Sequence, residues 1–245
     1  MAKVDPNLQK QVIKLGYTAS QEELARVERE TEIERTWWSA RPSYASYQSI
    51  LDDVAAGAAT KVIGTKNYLP AMRFRNEKLN EQYPPYLESG TKKLLDELTT
   101  EWRVRMDAAN LDSQIRLAIA SLTIAEGYQK QLASSGKLAI LGNPHVRGVA
   151  FDIDASAYYF GETPVNDRSP VKDEYDKRFT DAGAAAYVPK YHNFDKHLTR
   201  EPLEILLDVL RDKKLNNELN FVHEYPGTNN ASYHVCRNPE YHPKG

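Results

Sequence analysis

The sequence predicts an α+β fold, with a small antiparallel sheet flanked by helices and an N-terminal helical arm. Segments with apolar residues at helical spacing occur before and between a few short segments that alternate like strands. The chain also closes with two alternating segments joined by a Pro-Gly-Thr-Asn-Asn turn, which is typical of a β-hairpin. Its 245 residues, 41% of them apolar and 27% charged, suit one large globular domain with an added element.

The N-terminal arm is expected to occupy residues 1–42, and the main domain residues 43–245. Ser20 and Glu23 form a capping-box pattern, which predicts the start of a helix extending to about Arg35. This helix is rich in Glu and Arg and has few apolar positions, so we expect it to be mostly solvated. Trp37 and Trp38 would anchor it to the main domain.

The main domain alternates helical and strand patterns. Apolar spacing predicts helices over residues 43–62, 87–102 and 126–132, and another that starts near Pro202. Strand patterns occur at residues 115–119, 150–153, 220–225 and 231–237. The polar segment 161–200 contains three of the 13 prolines and is interpreted as a long insertion.

The overall composition excludes several classes of protein. The net charge of −2 gives no strong basic field, so we do not expect a nucleic-acid partner. The single cysteine, Cys236, excludes an internal disulfide. No apolar run approaches the ~20 residues of a membrane-spanning helix. The first residues contain no apolar signal core, which fits a cytoplasmic protein or one whose leader has been removed. The oligomeric state stays open.

The segment 143–152 contains the pattern His-x-x-Gly-x-Ala-x-Asp, beginning at His145 and ending at Asp152. Histidine nitrogen and aspartate oxygen are good zinc ligands. Gly148 would let the backbone turn tightly between them, and Asp152 falls on a predicted strand. We therefore expect His145 and Asp152 to bind one Zn2+ ion.

A catalytic zinc usually has three protein ligands and one open position. The predicted hairpin places Glu224 and His234 roughly opposite each other on one face, so His234 would be the third ligand and Glu224 a general base. A register shift of one residue would instead make His223 the ligand and remove Glu224 from the site. Three other histidines compete as ligands: His192, His197 and His242.

The motif around His145 resembles the first metal motif of the LAS superfamily, which includes lysostaphin-type enzymes, D-Ala-D-Ala metallopeptidases and hedgehog-like domains. The likeness continues at residues 84–87, 93–96, 128–129, 151–153 and 233–235. In these segments the chain is similar to a poorly characterised branch that itself looks like D-Ala-D-Ala carboxypeptidases. The resemblance covers roughly residues 45–240.

This resemblance implies a mixed α+β domain, one zinc ion and peptidoglycan stem peptides as the substrate class. It implies that His145, Asp152 and His234 bind the metal and that Glu224 is the base. It also implies a place in the cell envelope. The expected function is therefore a zinc-dependent peptidase, a carboxypeptidase or endopeptidase, that cuts these peptides with metal-activated water.

One position departs from the family pattern. Relatives carry an arginine that meets the substrate or its oxyanion, three residues after a serine, whereas here Ile124 follows Ser121 at that spacing. Losing one oxyanion donor often costs ~10²–10³ in rate. Arg147, next to the metal motif, and Arg116, on the neighbouring strand, are candidate replacements. The alternative function is a weak or inactive, metal-stabilised binding or scaffold domain.

Overall fold

A mixed sheet lies at the centre of the protein in the computed structural model, which describes residues 21–134, 143–166, 192–193, 199–224, 226 and 231–243. The helices are α1 (Gln21–Trp37), α2 (Tyr47–Ala55), α3 (Met72–Arg75), α4 (Ser89–Ala108), α5 (Glu126–Ser134) and α6 (Glu201–Leu215). The strands are β1 (Ala59–Lys61), β2 (Tyr68–Pro70), β3 (Tyr86–Glu88), β4 (Ile115–Ser121), β5 (Ala150–Phe160), β6 (Thr163–Asn166), β7 (His192–Asn193), β8 (Leu219–Glu224) and β9 (Ser232–Arg237). Two short 3-10 turns cover Glu77–Leu79 and Pro144–Arg147.

Strand β5 is the central strand of the sheet and pairs with three other strands. It pairs antiparallel with β4 along one edge, and its other edge pairs with β9 near its start and with β6 near its end. Strand β8 joins the sheet through β9, as the predicted hairpin requires. Among the described residues the sheet has seven strands, and β1 and β3 form a separate two-stranded sheet.

The two faces of β5 and β9 differ in chemistry because successive side chains point to opposite faces. One face carries Phe151, Ile153, Tyr233 and Val235, which belong to the main hydrophobic core together with leucines of α4 and α6. The opposite face carries Asp152 and its register partner His234. The sheet thus separates the core from a polar layer in which the predicted metal ligands lie.

Helix α1 covers this polar layer. Trp38, at its C-terminal end, is buried with Val149, Ala150 and Cys236, and its Nε1 donates a hydrogen bond of 2.8 Å to the Arg237 carbonyl. Trp38 is therefore the predicted anchor, and the arm packs against the sheet. The predicted capping residue Ser20 lies outside the described residues, and the domain boundary at residue 42 stays a prediction.

The α+β class is confirmed, but the sheet is larger than expected and mixed, because β2 pairs parallel with β4 and β6 pairs parallel with β7. The polar segment 161–200 contributes β6 and β7, and most of its other residues lie outside the described part. Strand β5 also runs well beyond the predicted residue 153. Within the described residues, no helix is both long and apolar enough to cross a bilayer.

The predicted helix over residues 43–62 is wrong beyond Ala55. Gly57 adopts a left-handed conformation with φ of +75°. The amide of Ala58 then donates to the Asp53 carbonyl and that of Gly57 to the Val54 carbonyl, which is a Schellman end to the helix. Strand β1 follows at once. Leu87, expected at the start of the next helix, lies in β3 instead.

Candidate metal centre

Three of the predicted site residues come together: His145 from the 3-10 turn, Asp152 from β5 and His234 from β9. His145 Nε2 lies 3.1 Å from Asp152 Oδ1 and 3.1 Å from His234 Nδ1, and the last two atoms are 2.9 Å apart. Both histidines are buried, whereas 16% of the Asp152 side chain is exposed. Among the described residues, these three side chains form a group that could hold a metal ion.

The turn that carries His145 is shaped by the residues around it. The side chain of Asn143 caps its start by accepting a hydrogen bond of 3.0 Å from the amide of His145. Gly148 ends it with φ of +70°, and a Cβ there would lie only 3.1 Å from the amide nitrogen of Glu88 and from Thr123 Oγ1. The predicted need for glycine at this position is confirmed, since a side chain would suffer from both backbone strain and crowding.

The imidazole of His145 is oriented by the segment that follows β4. Its Nδ1 lies 2.9 Å from the carbonyl oxygen of Leu122. A carbonyl only accepts, so Nδ1 carries the proton and Nε2 presents its lone pair to Asp152 and His234. The amide of Ile124 donates to the His145 carbonyl at 3.3 Å, which ties the same segment to the turn.

The imidazole of His234 is held from the side opposite the cluster. Its Nε2 lies 2.9 Å from Oε2 of Glu34, a fully buried residue of α1. The other carboxylate oxygen of Glu34 accepts a hydrogen bond of 2.7 Å from Asn220 Nδ2. Sequence reasoning missed Glu34 and Asn220, because no local pattern connects a glutamate in a charged helix with a histidine 200 positions later.

The donor atoms fit a zinc ion. Ligand distances of 2.0–2.2 Å and tetrahedral angles would place the donors about 3.4 Å apart. The observed separations of 2.9–3.1 Å therefore need an opening of only a few tenths of an ångström. In each histidine the second nitrogen already has a partner, as is usual for metal-binding histidines.

The cluster is strongly polarised in the metal-free chain. Burial would raise the pKa of Asp152, but the neighbouring His145 and His234 hold that pKa well below its usual range. Burial would lower the pKa of His234, but the carboxylates of Glu34 and Asp152 outweigh it and raise this pKa well above its usual value. At neutral pH an imidazolium at His234 therefore lies between two carboxylates.

Glu224 lies beside the cluster on the same face of the sheet. The hairpin pairs Val222 with His234 and Glu224 with Ser232, so Glu224 is one pair further along than His234. The predicted sharing of one face is confirmed, but the predicted pairing is wrong, because Val222 and not Glu224 lies opposite His234. His223 lies on the opposite face, with its ring centroid 4.8 Å from that of Tyr233. Burial raises the pKa of Glu224 to about 7, even though the neighbouring His234 acts to lower it. A half-buried carboxyl group of this pKa can take up and release a proton near neutral pH.

The two arginines considered as replacements for the missing family arginine lie at different distances from the metal group. Nε of Arg147 donates to the Arg41 carbonyl at 2.9 Å, and Nε of Arg41 donates to the Arg147 carbonyl at 3.0 Å. This reciprocal pair ties the end of the arm to the metal-binding turn, and a catalytic role for Arg147 stays a prediction. Arg116 pairs with Tyr159, five positions along β4 from Ser121, which is opposite Asp152. Five strand residues span roughly 17 Å, so Arg116 is too distant to replace the missing arginine.

Of the remaining candidate ligands, His242 is exposed near the C-terminus and is not part of the group. His192 lies in β7, and His197 lies outside the described residues, so their roles stay predictions. Cys236 is fully buried in the cluster that holds Trp38, as expected for a core thiol.

Comparison with known proteins adds no family to this description. The chain matches no protein-family model, and no curated protein or solved structure matches it.

Proposed function

We propose that this chain is a zinc-dependent peptidase that hydrolyses peptidoglycan stem or cross-link peptides, in the manner of D-Ala-D-Ala carboxypeptidases or endopeptidases. The observation that carries the proposal is the buried group of His145, Asp152 and His234, with Glu224 on the same face of the sheet. The substrate class is supported by the resemblance of the His145 motif to the LAS superfamily.

The three residues of the group would hold the zinc ion through His145 Nε2, Asp152 Oδ1 and His234 Nδ1. When bound, zinc with an open position lowers the pKa of a coordinated water to near ~7 and polarises a carbonyl group. This set of two histidines and one carboxylate is typical of catalytic rather than closed structural sites, which use four protein ligands.

The protein side chains would transfer the protons and determine the side from which a peptide substrate approaches the site. Glu224 would accept a proton from the attacking water and deliver it to the leaving amine. Helix α1 covers the site on the side of the fully buried Glu34. Asp152 and Glu224 are only partly buried, so a peptide would approach from their side. The fixed orientation of both histidines would keep the ligands in place during turnover.

The second candidate is a metal-stabilised binding or scaffold domain of the same fold. It is favoured by Ile124, which lies against the metal-binding turn at the position where the resemblance predicts an arginine. An apolar side chain cannot stabilise an oxyanion. The two candidates share the metal site and differ in whether a peptide bond is cut.

Two measurements test the proposal. Elemental mass spectrometry of protein purified without chelators should find about one zinc per chain. Muropeptides ending in D-Ala-D-Ala should then be hydrolysed by the wild-type protein. Glu224→Gln should keep its zinc but lose at least ~10²-fold in rate, because the base is gone. Glu204→Gln, on the exposed surface of α6, is the matched control and should behave as wild type.

Each outcome is decisive. Zinc without hydrolysis would favour the scaffold function, and hydrolysis that survives Glu224→Gln would remove Glu224 from the mechanism. A protein that takes up no zinc, even after reconstitution, would contradict both functions.

A further inference from the structure

Helix α1 buries a charge where a surface helix would bury an apolar residue. Among its residues 29–37, whose side chains the structure describes, Glu34 is fully buried, whereas its neighbour Ile33 is 44% exposed. Burying a carboxylate is unfavourable unless it is paired and hydrogen-bonded. The position of Glu34 therefore depends on its partners.

Both oxygens of the Glu34 carboxylate have a partner on the sheet. Oε2 lies 2.9 Å from His234 Nε2, and Oε1 accepts from Asn220 Nδ2 at 2.7 Å. Asn220 is itself buried, and it pairs with Cys236 in the hairpin, two residues from His234. On either side of this contact the helix also meets the rest of the domain, through Trp38 and through a partly exposed ion pair of 3.0 Å between Glu30 and Lys214, a kind of pair that adds little stability.

The contact acts on the nitrogen of His234 that does not face the metal group. The carboxylate of Glu34 accepts, so Nε2 donates and the lone pair of the neutral ring is left on Nδ1. Nδ1 is the atom that lies 3.1 Å from His145 Nε2 and 2.9 Å from Asp152 Oδ1. Glu34 is therefore not a ligand but sets the tautomer and orientation of one.

We propose that Glu34 is a positioning residue of the metal centre, which makes His234 bind through Nδ1 and strengthens it as a ligand. This inference rests on the proposed zinc site. A carboxylate on the far nitrogen of a metal-binding histidine raises the basicity of the ring, and losing such a partner typically weakens metal binding 10–100-fold. In His145, by contrast, the nitrogen that faces away from the metal group, Nδ1, is paired with a neutral group, the carbonyl of Leu122. The arm thus supplies a functional part of the centre.

The test compares zinc dissociation constants, measured by competition with a chromophoric chelator, for the wild-type chain and two matched variants. Glu34→Gln removes the negative charge but keeps the size of the side chain. The amide oxygen of the glutamine can still accept a hydrogen bond from His234 Nε2, and its amide nitrogen can donate to Asn220 Oδ1. We expect zinc to bind roughly 10–100-fold more weakly, with an unchanged far-ultraviolet circular dichroism spectrum. Glu30→Gln lies one helical turn earlier, loses only the pairing with Lys214, and should stay within twofold of wild type.

A second measurement needs no variant of Glu34. In zinc-loaded wild-type protein labelled with ¹⁵N-histidine, nuclear magnetic resonance should show one ring bound through Nδ1 with a hydrogen-bonded Nε2 proton. Through-bond correlation of each ring to its own Cβ assigns it, and His145 should instead be bound through Nε2 with its hydrogen-bonded proton on Nδ1. A ring of His234 bound through Nε2, or Glu34→Gln binding zinc within twofold of wild type, would overturn the positioning role and leave the zinc site intact. A wild-type chain that binds no zinc would overturn both.

Discussion

Zinc should stabilise the folded protein by an amount that follows from the three-ligand site and the size of the chain. A ligand that binds only the folded state at 100 times its dissociation constant adds about 2.7 kcal/mol to the free energy of unfolding. In domains of this size, each kcal/mol raises the melting temperature by roughly 2–4 °C. We therefore expect a rise of about 5–11 °C in differential scanning calorimetry when chelated protein is titrated with zinc.

The variant Asp152→Asn tests whether this rise comes from the proposed site. An amide oxygen is a poorer zinc ligand than a carboxylate. If binding weakens a hundredfold, the same zinc concentration only equals the new dissociation constant, and the added stability falls to about 0.4 kcal/mol. The rise should then shrink to about 1–2 °C. His242→Asn removes an exposed histidine instead and should leave the rise unchanged. An undiminished rise in Asp152→Asn would refute the assignment, because zinc would then be binding elsewhere.

Three further predictions concern the protonation of His234 and the backbone at two glycines. The pKa of His234 is raised in the metal-free chain, because Glu34 and Asp152 outweigh the effect of burial. Zinc binding at pH 7 should therefore release at least one proton. Isothermal titration calorimetry would detect this release as a binding enthalpy that depends on the buffer. By the same linkage, protonated His234 stabilises the metal-free chain. This stabilisation is fully present below about pH 6.5 and is lost as the pH rises through the higher pKa of the folded state. A free energy of unfolding that stays constant above pH 7 in denaturant titrations would contradict this. Gly148→Ala should cost about 1–3 kcal/mol, because a Cβ would be strained at φ of +70° and lie 3.1 Å from a backbone nitrogen. Gly57→Ala is the control, because φ there is +75° but an added Cβ would have no atom within 4 Å, and it should cost only about 1 kcal/mol. Equal losses of unfolding free energy in urea titrations of the two variants would show that crowding at Gly148 is unimportant.

Strand alternation was sufficient to predict that Glu224 and His234 share one face of the hairpin, because it has a strict period of two. The exact register was not predicted: Val222, not Glu224, pairs with His234, and a shift of one residue would have favoured His223. Likewise the spacing of His145, Gly148 and Asp152 predicted a tight turn leading into a strand, which the left-handed Gly148 provides. These features depend on local geometry, which a short segment of sequence determines.

The second partners of the histidines depend on tertiary packing and could not be predicted. Glu34 lies in a helix whose charged composition suggested a solvated surface, and its partners Asn220 and His234 are far away in the chain. The partner of His145 is a backbone carbonyl, which any residue at position 122 would supply. The end of α2 was missed for another reason: Gly57 was a visible helix-stop signal, but the apolar spacing continued beyond it.

The contact between Glu34 and His234 also bears on how the protein folds during synthesis, since its two ends are 200 positions apart. A ribosome adds about 5–20 residues per second, so roughly 10–40 s separate the appearance of the two side chains. During this interval the isolated α1 segment is only marginally stable as a helix, and the carboxylate of Glu34 stays in water. The arm is therefore made well before the strand on which it docks, and its docking can be completed only after β9 has left the ribosome.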